Sequence, residues 1–481
     1  MKQKIKLGEF APDLDPTTPG IITDCTNFVP TLKGYKGGAA GSDVGLNALA
    51  SAAINAAVLL KLDASSRLFV GTATKLYEKS GSAWTDVSST AYSASTSQLW
   101  RFAQFGNTSL AVNKSDYLQY SNSGAFAAVT GAPKAGAMCT VAGFVMVANT
   151  NEATYGNSED RWWCSGYNDY TDWTPAVATQ CTTGRLIDTP GPIRGVRALG
   201  SDVVAYKDRS MYYGRYVGTP VVWQWELIPG KIGCQSQDCI VDIGTAHYFI
   251  GFEDIYVYDG TRPVPIGTPL REWFFTDLDA GYSFLIRGMH DRANGLVYWF
   301  YPRSGSVGVL NGCIVYNYKS NKWGVAHRTI ECPIEYIVSG LTWNTIPAAT
   351  WNAWPTSTWD SPYWVAQTET AAYFGTDHKI YSLTGASASS DFTTGSYGDD
   401  STFTLLSQAR LRYLAVPTTV TMVNYYQNEH GDTWTTGETT TESNGRFDVL
   451  RSARWHKMKF SFTGDIETSG INLDLIAEGD E

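Results

Sequence analysis

A short unit recurs along the chain and constrains the fold more than any other feature: an apolar strand, a turn, and a second strand rich in tyrosine. The unit is clearest in AHYFIGFEDIYVYDG at 246–260 and in AAYFGTDHKIYSL at 371–383. Apolar runs on both sides of a short polar turn are typical of antiparallel hairpins. The copies lie at 67–84, 108–126, 143–163, 202–216, 246–260, 295–323 and 371–383.

The spacing of these hairpins favours a radial arrangement. Successive copies start roughly 35 to 59 residues apart, except for a last gap of about 75, and a four-stranded propeller blade needs about 40 to 50 residues. A blade buries both faces against its neighbours and leaves only short edges. The repeat therefore predicts an all-β protein with a β-propeller of six or seven blades. Consecutive β-sandwiches are the alternative, but they predict evenly spaced strands without a recurring doublet.

Composition agrees with a β fold and helps to divide the chain. The 481 residues include 46 Gly, 28 Tyr and 17 Trp, and only 17% are charged, a balance suited to half-buried strands and tight turns. After residue 400 the strands become longer and alternate strictly, and the Gly-, Ser- and Asp-rich segment 385–401 indicates a linker. We expect an extended segment over 1–45 that closes the propeller or forms an interface, a propeller over 46–395, and a small C-terminal β-sandwich-like domain over 396–481.

The charge and cysteine content exclude several classes of protein. A net charge of −10 argues against a protein whose whole surface binds nucleic acid or an anionic membrane. No secretory signal or membrane-spanning stretch is recognisable, which predicts assembly in the cytoplasm. Eight cysteines in a chain of this length are too sparse for a disulfide framework. Cys234 and Cys239 lack the second ligand pair that zinc requires, so we expect no metal and no cofactor.

The sequence contains no recognisable catalytic motif. Neither a nucleophile elbow, nor a phosphate-binding loop, nor a zinc-protease motif occurs. Glycoside hydrolysis needs only two carboxylates, which leaves several acidic residues open as an acid pair: Asp254, Asp259, Asp277, Asp279 and Asp291. Acidic turn residues are ordinary in propellers, so we expect no catalytic residues and no enzyme. A propeller that binds or cleaves glycans remains the alternative.

Two clusters of side chains are candidate interaction sites. In residues 341–364 the triplets TWN, TWN and TWD recur every eight residues, and an even period places their indoles on one face of an extended chain. Indoles are enriched both at subunit interfaces and at sugar sites. The candidate subunit or fibre interface comprises Trp343, Trp351, Trp354, Trp359 and Trp364. A weaker candidate patch for phosphate or an interface comprises Arg451, Arg454, Lys457 and Lys459.

Several of these motifs together resemble one family. The opening LGEFAPDLDPTTPGIITDCTNFVPTLKGYKG resembles the start of the tail nozzle proteins, also called tail tube or hub proteins, of short-tailed bacteriophages. RLFVGTATKLYE at 67–78 is similar to their first blade motif, and the tryptophan row and the ending RSARWHKMKFSFTGDIETSGINLDLI resemble later segments. The residues that carry the opening signature are Pro12, Asp13, Leu14, Asn27, Pro30, Gly34 and Tyr35.

The resemblance implies a structural protein of the virion tail. Such proteins form a ring of about six copies below the portal and adaptor. The ring retains and conducts the genomic DNA without reading its sequence, and docks tail fibres or spikes. The resemblance further implies assembly in the cytoplasm of a bacterial host. We expect an acidic or neutral channel, because cations paired with phosphate would slow the passage of DNA.

Overall fold

The computed structural model describes residues 2–61, 65–338, 368–429 and 431–479. Its described residues form seven four-stranded antiparallel units. The first strands of successive units pack side by side, the turn Gln237–Cys239 lies against the first strand of the fourth unit, and the seventh unit meets the first. The sheets thus close into a ring, which confirms the predicted β-propeller and its all-β class.

Blades 1 to 4 follow one another along the chain, each running from the axis outward. The inner hairpin of blade 3 turns through Ala142 and Gly143, both at positive φ, as a two-residue hairpin turn requires. The strands are Asn55–Leu60, Ser66–Gly71, Leu76–Ser80 and Ala83–Asp86; Arg101–Phe105, Thr108–Val112, Gln119–Ser121 and Ala127–Ala128; Lys134–Val141, Phe144–Glu152, Gly156–Cys164 and Thr182–Arg185; Ile193–Leu199, Asp202–Lys207, Met211–Gly218 and Val222–Ile228.

Blades 5 to 7 complete the ring, and the last is closed from the other end of the chain. Ser42–Asp43 pairs with Ile380–Ser382 as the outermost strand of blade 7. A short helix, Arg271–Asp277, and a 3-10 helix, Ala280–Leu285, connect blade 5 to blade 6. The other strands are Val241–Asp242, His247–Ile250, Ile255–Tyr258 and Val264–Pro265; Arg287–Asp291, Leu296–Pro302, Leu310–Asn317 and Lys322–Val325; Cys332–Val338 and Thr368–Phe374.

The two chain ends together build the C-terminal β-sandwich. Its sheet one contains Lys2–Lys6, Tyr35–Gly37, Glu467–Gly479, Phe403–Ala415 and Phe447–Ala453; its sheet two contains Ile22–Thr26, Ser390–Thr394, Tyr397–Gly398, Trp455–Thr463, Thr419–Gln427 and Thr435–Thr441. Alternate residues of the paired strands point into the core between the sheets: Met422, Met458 and Phe460 are fully buried. The N-terminal segment therefore contributes strands to both sheets.

The segment 385–401, whose composition predicts a linker, is instead part of the sandwich. Ser390–Thr394 pairs on one side with Ile22–Thr26 and on the other with Trp455–Thr463. Phe392 is fully buried and stacks on Phe28 with ring centroids 5.0 Å apart. Composition alone misleads here because small polar residues also suit a short strand that lies between two others.

A continuous sheet joins the propeller to the sandwich. The outermost strand of blade 6 pairs with Phe28–Pro30, which forms a hairpin with Tyr35–Gly37, and that strand pairs with Glu467–Gly479 of sheet one. One hydrophobic cluster includes Phe249 of blade 5, Trp299 of blade 6 and Phe460 of the sandwich. We call this region, where blade 6 meets the sandwich, the junction.

Candidate functional site

The residues of the N-terminal signature lie at the junction. Tyr35 is fully buried, and its hydroxyl donates to the carbonyl of Trp323 at 2.7 Å and accepts from the amide of Phe10 at 2.9 Å. Trp323 belongs to blade 6, whereas Phe10 follows the first sandwich strand. The Tyr35 ring stacks on Phe28 at 5.1 Å. A single tyrosine thus binds the backbone on both sides of the junction.

Asp13 caps a helix that lies far away in the sequence. The helix Arg271–Asp277 starts after Leu270, whose side chain offers no capping bond. The Asp13 carboxylate accepts from the amide of Glu272 at 2.6 Å and from that of Trp273 at 3.0 Å. A carboxylate in this position satisfies free amides and complements the helix dipole. The signature aspartate therefore fixes the connection between blades 5 and 6.

Asn27 and Gly34 allow the chain to cross between the domains. Asn27 has a φ of +49°, a region that asparagine tolerates better than most residues. Its side-chain amide donates to the carbonyl of Gly38 at 3.0 Å and to that of Ser389 at 3.3 Å. A Cβ at Gly34 would lie 2.0 Å from the carbonyl oxygen of Thr468, so no side chain fits there. Both positions serve the junction rather than a cleft.

The propeller axis is crossed by the turn around Gln237–Cys239, which we call the axial turn. Its Gln237 side chain exchanges two hydrogen bonds with the backbone of Met138 in blade 3, at 2.8 and 3.2 Å. Its Asp238 forms a salt bridge of 2.8 Å with Arg101 of blade 2. Ser236 donates to the carbonyl of Ile286, beside blade 6. The axial turn thus connects blades on opposite sides of the ring.

The five tryptophans of the candidate interface lie outside the described residues. They all fall within 339–367, between the first and second strands of blade 7. The proposed role of Trp343, Trp351, Trp354, Trp359 and Trp364 in a subunit or fibre contact therefore stays a prediction.

The basic residues of the weaker candidate patch lie on different parts of the sandwich. Lys457 and Lys459 share the outward face of Trp455–Thr463 in sheet two, and Lys459 forms a salt bridge of 3.2 Å with Asp391. Arg451 belongs to sheet one, where its guanidinium lies 4.8 Å from the ring of Tyr426. Arg454 follows that strand and packs over Phe403 at 5.0 Å. Each arginine is thus held by an aromatic ring.

A different basic cluster, which the sequence reading missed, forms on the outer face of sheet one. Lys4 and Arg410 flank Asn472 in one row across three strands, and Lys6 and Arg412 lie in the next row. All four are exposed, and they form no salt bridge with another described residue. We call Lys4, Lys6, Arg410 and Arg412 the basic face. The alternation in KQKIK and RLR was the available signal, but the two segments are 400 residues apart.

The cysteines and the acidic residues are occupied within their own surroundings. All eight cysteines are buried and free, and burial raises the pKa of the Cys164 thiol to about 12. The described residues include no metal-binding cluster of His, Cys, Asp and Glu. The carboxylate of Asp277 binds Arg303 at 2.8 Å, and Asp254 and Asp291 accept amide protons from nearby turns. Such bonds are those of structural carboxylates.

Aromatic rings and one histidine complete the junction beside the capped helix. Phe10 meets Trp273 edge to face at 5.2 Å, and Trp273 stacks on His327 at 6.3 Å. Nδ1 of His327 accepts the amide proton of Cys313 at 3.0 Å. Burial, together with the nearby charge of Arg303, lowers the pKa of His327 to about 4. The imidazole is therefore neutral at physiological pH and acts as an acceptor.

No protein-family model and no curated protein matches the chain. Among solved structures, the WD40 domain of Neurospora crassa Pan2 is 8% identical, with a TM-score of 0.39 over 74% of this chain and 96% of that one.

Two other matches have similarly low identity. The extracellular domain of the two-component system BT3049 of B. thetaiotaomicron is 7% identical, with a TM-score of 0.41 over 83% and 47% of the chains. An exo-β-1,3-galactanase from Phanerochaete chrysosporium is 11% identical, with a TM-score of 0.28 over 91% and 100%. The strand order of the chain shows a β-propeller fused to a β-sandwich. No helix among the described residues has the length and apolarity to cross a membrane.

Proposed function

We propose that the chain is a structural subunit of a bacteriophage tail, which forms a ring-shaped nozzle below the portal and adaptor and conducts the genomic DNA. One observation carries the proposal: several of the signature residues that resemble the nozzle family hold the region where propeller and sandwich meet. Asp13 caps a propeller helix and Tyr35 binds both domains. The resemblance therefore rests on residues with a defined structural task rather than on chance composition.

A rigid junction suits a subunit of a conduit. We expect the wall of a channel to keep its shape only if the two domains of each subunit do not move relative to each other. Here a continuous sheet, a shared hydrophobic cluster and the bonds of Tyr35 oppose that motion. Two domains move relative to each other unless the interface between them is large and hydrophobic. The sheet that runs through both domains therefore supports a role in a rigid conduit.

The charge distribution supports assembly into a ring. A cyclic ring is built from heterologous contacts, in which one patch of a subunit meets a different patch of the next. The chain carries a net charge of −10, yet the basic face gathers four cations, Lys4, Lys6, Arg410 and Arg412, in two adjacent rows. A basic patch on an acidic subunit fits an acidic surface of the neighbouring copy. We propose this contact for the basic face, and an acidic or neutral wall for the channel.

The proposed role requires no chemistry from the chain itself. Asp254 holds a turn and Asp277 pairs with Arg303, as structural carboxylates do, and we propose that the protein is not an enzyme. The partners would be further copies of the chain, the adaptor ring, and tail fibres or spikes. We place the tryptophan row at one of these contacts.

Electron microscopy and mass photometry of the purified chain, alone and mixed with its adaptor ring, test the proposal. We expect rings of about six copies that form alone or on the adaptor. Trp351→Ala and Trp359→Ala should weaken assembly and leave the fold intact, as circular dichroism would check. Monomers that ignore the adaptor but bind host polysaccharide, and lose that binding in the same variants, would instead establish the glycan-binding alternative.

A further inference from the structure

A polar cavity of about 220 Å³ lies on the propeller axis beside the axial turn. Inner strands of blades 1, 2, 4, 6 and 7 form its wall. Three arginines, Arg101, Arg197 and Arg287, line the cavity together with two carboxylates, Asp238 and Glu335. The cavity has room for several waters or one small organic molecule. Its lining carries more positive than negative charge.

Arg287 has a buried donor, Nε, without an acceptor among the described residues. The side chain is 4% exposed, and Nη1 donates to the carbonyls of Ile54 at 2.5 Å and Glu331 at 3.3 Å. Its Nε is buried and lacks an acceptor among the described residues. All the bonds that Arg287 makes in the described part of the chain come from Nη1. A buried cation with unused donors is costly unless a partner of opposite charge occupies the space beside it.

Arg197 and Arg101 show the same pattern. Arg197 reaches the carbonyl of Gln237 through Nη2 at 3.5 Å, the outer limit of a hydrogen bond. Arg101 is held by Asp238 at 2.8 Å and by the carbonyl of Leu99 at 3.4 Å. In both arginines Nε is buried without an acceptor in the described part of the chain. Three guanidinium groups thus line one cavity, and in each of them the buried Nε lacks an acceptor among the described residues.

The two carboxylates form no direct ion pair with Arg197 or Arg287. Asp238 is engaged by Arg101 and by the side-chain amide of Asn55. Glu335 accepts the amide proton of His290 at 3.1 Å, and burial raises the pKa of its carboxyl group. Neither carboxylate is within salt-bridge distance of Arg197 or Arg287. Asp238 and Glu331 attract Arg287, and Glu335 attracts Arg197, but only from beyond salt-bridge distance. An anion in the cavity can therefore approach both arginines more closely than these carboxylates do.

We propose that the axial cavity binds a small oxyanion, a carboxylate or a phosphate, through Arg197, Arg287 and Arg101. The planar guanidinium group matches the oxygens of either anion with paired hydrogen bonds. A second cavity, of about 290 Å³, borders the axial turn and is lined by Arg101, Lys114 and Arg194. Since Arg101 lines both cavities, cationic side chains continue from one to the other. The site lies within a single propeller and is independent of ring formation.

Calorimetry and thermal unfolding of the full chain test the site. Sodium phosphate and sodium citrate are compared with sodium chloride at equal ionic strength, and the two oxyanions distinguish phosphate from carboxylate recognition. We expect one molecule of at least one oxyanion to bind per chain and to raise Tm by several degrees beyond chloride. Arg197→Gln should weaken binding about tenfold or more. The one side-chain hydrogen bond that Arg197 makes to a described residue is long, so we expect the fold to tolerate this change.

Two further variants sharpen the result. Arg215→Gln removes an exposed arginine of the same blade, away from the cavity, and should leave binding unchanged. Asp238→Asn removes the carboxylate that competes for Arg101 and should tighten binding several-fold. The proposal is overturned if neither phosphate nor citrate differs from chloride with the wild-type chain, or if Arg197→Gln binds as the wild type does.

Discussion

Single side chains at the junction form buried hydrogen bonds. Tyr35 places one hydroxyl between the carbonyl of Trp323 and the amide of Phe10, and both groups are buried with it. Removing the hydroxyl leaves a buried carbonyl and a buried amide without hydrogen-bond partners. An unpaired buried polar group lowers the stability of the protein by more than the net contribution of the lost bond. The effect of such a change is therefore large for the loss of one atom.

We expect Tyr35→Phe to lower the free energy of unfolding by about 1 to 3 kcal/mol. Urea unfolding followed by tryptophan fluorescence measures the change. Tyr117→Phe is the matched control, because Tyr117 is 52% exposed and its hydroxyl makes no hydrogen bond to another described residue. Equal midpoints for the two variants would show that the Tyr35 hydroxyl does not hold the junction.

The second residue-scale prediction concerns acid. Because burial lowers the pKa of His327 to about 4, the native imidazole stays neutral while the unfolded chain takes up a proton below its ordinary pKa of about 6.5. The free energy of unfolding should therefore fall as the pH drops from about 6.5 towards 4, and should be insensitive to this group above that range.

His327→Gln tests that assignment. Glutamine keeps an acceptor for the Cys313 amide but does not titrate, so the acid-dependent loss should shrink by on the order of 1 to 2 kcal/mol. His290 also has a pKa lowered to about 4 by burial, so part of the loss should persist. Superimposable pH profiles of unfolding for wild type and variant would contradict the prediction.

At the scale of elements, distant segments complete one another. The helix Arg271–Asp277 receives its cap from Asp13, and blade 7 receives its outermost strand from Ser42–Asp43. The helix has no capping side chain from its own segment, and blade 7 takes its fourth strand from the N-terminal segment. The N-terminal 45 residues therefore stabilise both the connection between blades 5 and 6 and the last blade of the propeller.

We expect Asp13→Ala to speed amide hydrogen exchange in the first turn of that helix and to cost about 1 kcal/mol of stability. Asp13→Asn should cost less, because the amide oxygen still accepts one bond. Asp15→Ala, which alters an exposed turn beside Thr17, serves as the control. Unchanged exchange at Glu272 and Trp273 in the Asp13→Ala variant would exclude capping as its role.

At the scale of the whole molecule, charge decides how copies meet. If the basic face contacts an acidic surface of the next subunit, the double variant Lys4→Gln, Arg410→Gln should dissociate at lower salt and raise the ring's apparent Kd about tenfold, which corresponds to about 1.4 kcal/mol. Mass photometry across a sodium chloride series measures this. Arg215→Gln with Lys231→Gln removes the same charge from exposed sites, one on blade 4 and one in the loop that follows it, and should behave like the wild type. A ring that ignores both salt and the basic-face variant would refute the contact.

The sequence predicted the repeat well because a hairpin is a local object. Alternating apolar residues and a turn lie within about 15 residues of one another, as in 246–260, so their pattern is readable along the chain. The fold class followed, because repeated hairpins of that spacing have few ways to bury both faces. The segment 385–401 misled, because composition does not reveal whether a short strand has neighbours on both sides.

The tertiary structure decided everything that depends on register between distant segments. Lys4 and Arg410 share a row, and Arg101, Arg197 and Arg287 share a cavity, because strand pairing and blade order bring them together. A shift of one residue in either terminal strand would turn the basic face inward. The sequence by itself determined the hairpins and the resemblance carried by Asp13 and Tyr35. Which charges converge was settled only by closure of the ring and pairing of the chain ends, since electrostatic contacts depend on distance in space.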